Sequence, residues 1–95
     1  MFSETDYKRM YWHSRRGMLE LDLILLPFVE QTLRTLDENS QQDYQRLLKE
    51  EDQDLYVWLI GKVDPPNEAL QRMVALILRH RNAQAPSPAG IQSLR

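Results

Sequence analysis

The sequence predicts an all-α protein, a small compact five-helix bundle, on three observations. Apolar residues recur at spacings of three and four along successive segments, which is the period of an amphipathic helix. Helix-capping residues, glycines and prolines fall between those segments. No segment has the alternation of apolar and polar residues that is typical of a β-strand. A chain of 95 residues is the size of one domain.

The first predicted helix begins after Ser3 and ends near Arg15. Ser3 and Asp6 have the spacing of a capping box, in which each residue satisfies a backbone group of the other. Gly17 supplies the left-handed residue that often follows a helix. We therefore expect the chain to turn at Gly17.

The second predicted helix spans residues 18–36 and is apolar on nearly every side. Leu19, Leu23 and Leu26 lie off its main apolar stripe. A helix of this kind lies in the middle of a bundle or contacts a partner. Pro27 has no backbone N–H, so it should kink or divide the helix. The stripe itself consists of Met18, Leu21, Leu25, Phe28, Val29, Leu33 and Leu36.

Two shorter helices are predicted next. Asp37 or Ser40 caps the third helix, and Asp52 or Asp54 caps the fourth, because all four side chains can accept a bond from a free backbone N–H. Gly61 stands where the fourth helix should stop. The residues predicted to face the core are Tyr44, Leu47, Leu48, Leu55, Trp58 and Leu59.

The fifth predicted helix, residues 67–81, has the most regular apolar stripe. After it, Pro86 and Pro88 stand in a segment with few apolar residues. We therefore expect a helical domain over residues 1–82 and a flexible tail over residues 83–95. The stripe of the fifth helix consists of Leu70, Met73, Val74, Ile77 and Leu78.

The composition argues against an enzyme and against a bound metal. There is no cysteine, which excludes a disulfide framework and a thiolate site. His13 and His80 lack the spacing of metal ligands, and the three glycines do not form a phosphate-binding loop. Most carboxylates stand at predicted helix starts, where they cap.

Charge and hydropathy exclude two further classes of protein. The middle of the chain, residues 37–64, is rich in acids and would repel nucleic acid. The longest apolar run, residues 23–29, is too short to cross a membrane. No signal peptide is evident, so we expect a cytoplasmic protein.

The segment around Gly17 is the best candidate for a contact surface. Without a side chain, Gly17 lets another backbone approach closely, and Arg16 and Glu20 flank it. The alternative for Arg16 and Glu20 is a weak local ion pair. Trp12 lies off the stripe of the first helix, which favours either an interface or peripheral packing.

Two segments then resemble a known family, the SdhE flavinylation factors of succinate dehydrogenase. Residues 16–20, RGMLE, fit the family's R-G-x-x-E motif. Residues 52–59, DQDLYVWL, fit its D-x-D-L-x-x-W-L segment. The resemblance covers roughly residues 7–80 and leaves out the predicted tail.

The resemblance implies a five-helix bundle that binds the flavoprotein subunit of succinate dehydrogenase, and of fumarate reductase. In that family, binding promotes covalent attachment of FAD to a histidine of the client. The chemistry belongs to the client, and FAD is the client's cofactor rather than one bound stably by the helper. The partner-binding residues that the resemblance and the sequence together imply are Trp12, Arg16, Gly17, Glu20, Asp22, Asp52 and Asp54.

The alternative function is a regulatory protein-binding module, such as an antitoxin-like partner of a membrane-associated protein. An enzyme is the weakest of the three hypotheses. For either binding function we expect a monomer.

Overall fold

The computed structural model describes residues 2–84, which contain five α-helices and no strand. The predicted all-α bundle is thus confirmed. A short 3₁₀ turn, Leu33–Thr35, separates the second helix from the third. The helices are α1 (Glu4–Ser14), α2 (Leu19–Gln31), α3 (Glu38–Leu47), α4 (Asp52–Leu59) and α5 (Glu68–Gln84).

Helix α2 lies in the middle of the bundle and contacts α1, α4 and α5. Its predicted stripe faces inward, and Leu21, Leu25 and Phe28 are fully buried. Leu19 and Leu23 point away from the core and are 68% and 66% exposed. The prediction for α2 therefore holds for the stripe and for Leu19 and Leu23, whereas the third off-stripe leucine, Leu26, is half-buried.

The end of α2 differs from the prediction. Pro27 does not divide the helix, which continues through it to Gln31. The break comes at Thr32, where φ is −123°, and the 3₁₀ turn follows. Proline removes one backbone donor, but the buried neighbour Phe28 anchors the turn in the core. Packing of the apolar stripe thus outweighs the local effect of Pro27.

The caps of α3 and α4 differ from each other. Asp37 caps α3 and accepts a bond from the backbone N–H of Ser40 at 3.1 Å. Hydrogen bonding to Ser40 lowers the pKa of Asp37. The N-cap of α4 is Glu51, without a side-chain bond, so the prediction that Asp52 or Asp54 caps α4 is wrong.

Gly17 and Gly61 are suited to their positions for different structural reasons. Gly17 has a φ of +82°, as predicted for the turn after α1. Gly61 does not have a positive φ; its neighbour Lys62 does, at 61°. Gly61 instead allows close packing, because a Cβ there would lie 2.9 Å from the carbonyl oxygen of Val57. A side chain at position 61 would therefore not fit against the end of α4.

The start of α1 and the end of α5 are the two ends of the described domain. Ser3 and Asp6 make the predicted capping box at the start of α1. At the other end, α5 continues to Gln84. The predicted tail, residues 83–95, lies outside the described residues except for its first two positions.

Candidate functional site

The loop between α1 and α2 is short and held by the helix that follows it. Arg15 and Met18 have extended backbones, and Gly17 between them is left-handed. The carboxylate of Asp22, in the first turn of α2, accepts the backbone N–H of Arg16 at 2.8 Å. Asp22 therefore fixes the loop to which Gly17 belongs.

The side chain of Arg16 donates four hydrogen bonds to other parts of the chain. Its Nε bonds Oδ1 of Asp52 at 2.7 Å. Its Nη1 donates to the carbonyl oxygens of His13 and Leu48, both at 2.9 Å, and its Nη2 to that of Glu50 at 2.7 Å. We call these five residues the Arg16 network. Because the Arg16 side chain is only 14% exposed, the network leaves little of it for a partner.

The Arg16 network rules out the alternative considered for Arg16 and Glu20, a local ion pair between them. Within residues 2–84, the salt bridge of Arg16 is to Asp52. The guanidinium, with five donors in a planar fork, suits a site with several oxygen acceptors. The network joins the end of α1 to the segment between α3 and α4. Arg16 and Asp52 therefore fix the shape of the site through bonds within the chain.

A second buried bond lies next to this junction. Ser14, the last residue of α1, is fully buried and contacts the hydroxyl of Tyr44 on α3 at 2.6 Å. The Ser14 hydroxyl also donates to the carbonyl oxygen of Met10 at 2.7 Å. Burial raises the pKa of Tyr44, and its bond to Ser14 offsets only part of that effect. The end of α1 is thus joined to α3 both inside the core and at the surface.

Gly17 and Glu20 lie on the outer side of this loop. A Cβ placed on Gly17 would have no atom within 4 Å, so the space above it is open. Glu20 is exposed, and in the described part of the chain its side chain makes no ion pair or hydrogen bond. The two residues are accessible to a partner, whereas most of the Arg16 side chain is covered.

Trp12 is the large aromatic side chain of this surface. It is 63% exposed, which confirms that it lies off the core. The guanidinium of Arg15 stands 5.4 Å from the centre of its ring, and the ring of Tyr11 meets it edge to face at 5.9 Å. Trp58, by contrast, is buried at 7% exposure, as predicted.

Asp54 is the one predicted site residue that the structure does not bring into this group. It lies two positions after Asp52 in α4. Residues two apart on a helix point in different directions, so Asp54 does not share the face on which Asp52 meets Arg16. Within residues 2–84, no hydrogen bond joins Asp54 to the Arg16 network.

The sequence did not indicate a groove beside Trp12. This groove, of about 470 Å³, runs between the last turn of α1 and the second half of α3. His13 in α1 and Arg15 directly after it line one side, and Gln45 in α3 and Lys49 in the turn after it line the other. Gln45 lies in α3 and Lys49 in the turn after it, and only the packing of α1 beside them shows that they line one groove.

The described residues contain no cluster of three histidines or acids that could hold a metal ion. In the same range, no helix is long and apolar enough to cross a membrane. A small helical bundle with an exposed tryptophan and an open glycine beside an ordered loop has the features of a protein-binding module.

Comparison with known proteins agrees with this class. A family model described as the flavinator of succinate dehydrogenase matches residues 8–81. The FAD assembly factor SdhE of Pseudomonas aeruginosa is 49% identical over 78 residues, which are 82% of this chain and 93% of that protein. The SdhE protein of Photobacterium profundum is 40% identical over 84 residues, or 88% and 96% of the two chains.

A solved structure also matches. The solution structure of a protein described as UPF0350 is 37% identical in sequence and has a TM-score of 0.72. The match covers 88% of this chain and 89% of that one. The chain belongs to the family of succinate dehydrogenase flavinators, whose curated members are FAD assembly factors. It is therefore an assembly factor rather than an enzyme.

Proposed function

We propose that this protein binds the flavoprotein subunit of succinate dehydrogenase and promotes covalent attachment of FAD to a histidine of that subunit. Gly17 carries the proposal, because it presents bare backbone with open space above it. Glu20 and Trp12 are exposed around it, and both are available for contact. Family membership supplies the class of client.

In this proposal six of the seven predicted residues have one of two roles. Trp12, Gly17 and Glu20 contact the client directly. Arg16, Asp22 and Asp52 hold the loop in the shape that the client meets, since their side chains already bond within the chain. Asp54 lies outside the Arg16 network and has the weakest support as a contact.

The chain would act by preorganisation. Binding selects the client conformation in which the flavin and the acceptor histidine are aligned, and alignment lowers the entropic part of the barrier. The redox and bond-forming chemistry stays with the client and its FAD, and this chain holds no flavin of its own. The flavoprotein of fumarate reductase, a related client, and action in the cytoplasm as a monomer are parts of the same proposal.

The test measures covalent flavin on the client. The flavoprotein subunit is expressed in bacteria that lack their own assembly factor, with and without this chain, and flavin fluorescence is recorded in a denaturing gel. We expect a strong fluorescent client band only when the chain is present. An equal band without the chain, at equal client level, contradicts the proposal and favours the regulatory alternative.

A further inference from the structure

The groove beside Trp12 has two cationic side chains that no carboxylate of residues 2–84 neutralises. In the described part of the chain, no carboxylate lies within salt-bridge distance of Arg15 or Lys49. Arg16, at the edge of the same groove, differs because Asp52 neutralises it. The two free cations line one groove from opposite walls.

The aromatic side of the groove adds an apolar surface to these charges. Trp12 is 63% exposed, and Arg15 stands over its ring. Tryptophan and arginine are the residues that most often dominate the energy of protein interfaces. A guanidinium at a ring face keeps its edge donors free for a carboxylate.

We propose that this groove binds a carboxylate-bearing segment of the client flavoprotein, with an acidic side chain between Arg15 and Lys49 and an apolar side chain against Trp12. The inference rests on the proposed function, and it adds Arg15 and Lys49 to the contact surface. Asp52 is the one acid among the residues that line the groove, and it pairs with Arg16. An acidic segment is therefore attracted at this groove, although the chain as a whole has a net charge of −2. That contrast orients the client on the surface.

The test compares two double variants that remove the same charge. Arg15→Gln with Lys49→Gln changes the groove. Arg79→Gln with Arg81→Gln is the matched control, because both arginines are exposed on α5 and neither lines the groove. The probe is the purified flavoprotein subunit of succinate dehydrogenase, with the Kd measured at several salt concentrations.

We expect the groove variant to bind at least about tenfold more weakly than the control variant, with a smaller dependence of Kd on salt. Both variants should keep the wild-type helical spectrum and nearly the wild-type Tm. Equal Kd values for the two variants overturn the groove proposal and leave the proposed function intact. Failure of the wild-type chain both to bind and to raise covalent flavin overturns the two together.

A third variant separates the aromatic contribution from the charges. Trp12→Ala should weaken binding about tenfold, and Trp12→Phe should recover part of that loss, because the ring supplies apolar area. Unchanged binding of Trp12→Ala contradicts the placement of an apolar client side chain against Trp12.

Discussion

At Gly17 the backbone conformation and the surrounding space restrict the type of residue in different ways. The φ of +82° disfavours any side chain, since a Cβ in the left-handed region costs about 1–2 kcal/mol. The space around Gly17 would accommodate a large side chain, because no atom lies within 4 Å of the Cβ position. Substitutions of different size at Gly17 should therefore have similar effects on stability.

This difference gives a test of Gly17 as a contact point. We expect Gly17→Ala and Gly17→Arg to lower the free energy of unfolding by a similar amount, about 1–2 kcal/mol. Only Gly17→Arg should abolish binding to the client flavoprotein, because its side chain fills the open space. Thermal melts by circular dichroism and a pull-down measure the two effects. Binding by Gly17→Arg at the level of Gly17→Ala would refute the contact.

Among the elements, the Arg16 network decides how α1 meets α3 and α4. Its acceptors are one carboxylate and three carbonyl oxygens. Hydrogen bonds to a charged group typically contribute about 1.5–3 kcal/mol, and unpaired carbonyls left in a part-buried site lower stability further. Arg16 therefore helps to fix the relative positions of α1, α3 and α4 as well as the loop between α1 and α2.

We expect Arg16→Ala to lower the free energy of unfolding by about 2–3 kcal/mol, or roughly 10 °C or more in Tm. Arg16→Lys should recover only part of this, since an ammonium cannot reproduce the planar fork. The neighbouring Arg15→Ala is the control, and it should change stability by less than about 0.5 kcal/mol because Arg15 is exposed. A wild-type Tm for Arg16→Ala would show that the network is not structural.

For the whole molecule, Tyr44 makes stability depend on alkaline pH. Burial raises its pKa above the ordinary value of about 10. Below pH 10 the hydroxyl is protonated in both folded and unfolded chains, so it has no effect on stability. Above pH 10 the unfolded chain loses this proton and the folded chain keeps it, so stability falls as pH rises.

The expected slope rises through pH 10 and approaches a limit of about 1.4 kcal/mol of unfolding free energy per pH unit at higher pH, from this group alone. Denaturant unfolding between pH 8 and pH 11 measures it. Tyr44→Phe is the control, since it removes the titrating hydroxyl and keeps the ring in the core. The slope of the variant should be smaller than that of the wild type by up to this amount, and equal slopes would contradict a raised pKa for Tyr44.

The element boundaries show where prediction from local sequence works. The capping box of Ser3 and the turn at Gly17 were predicted, because capping and left-handed conformations depend on neighbouring residues. Of the two predicted effects of Pro27, a kink or a division, the division does not occur, because packing of the buried stripe outweighs one missing backbone bond. Asp52 was predicted to cap α4, but its partner lies 36 residues away.

The sequence by itself determined the fold class and the buried stripes, since helical period and cap chemistry act over a few residues. Through its motifs, it also determined the family. Only the tertiary structure decided that Arg16 bonds within the chain and that Arg15 and Lys49 face one groove. The reason is that these contacts join α1 to the segments around α3 and α4. Their partners are set by how the helices pack, which no local spacing specifies.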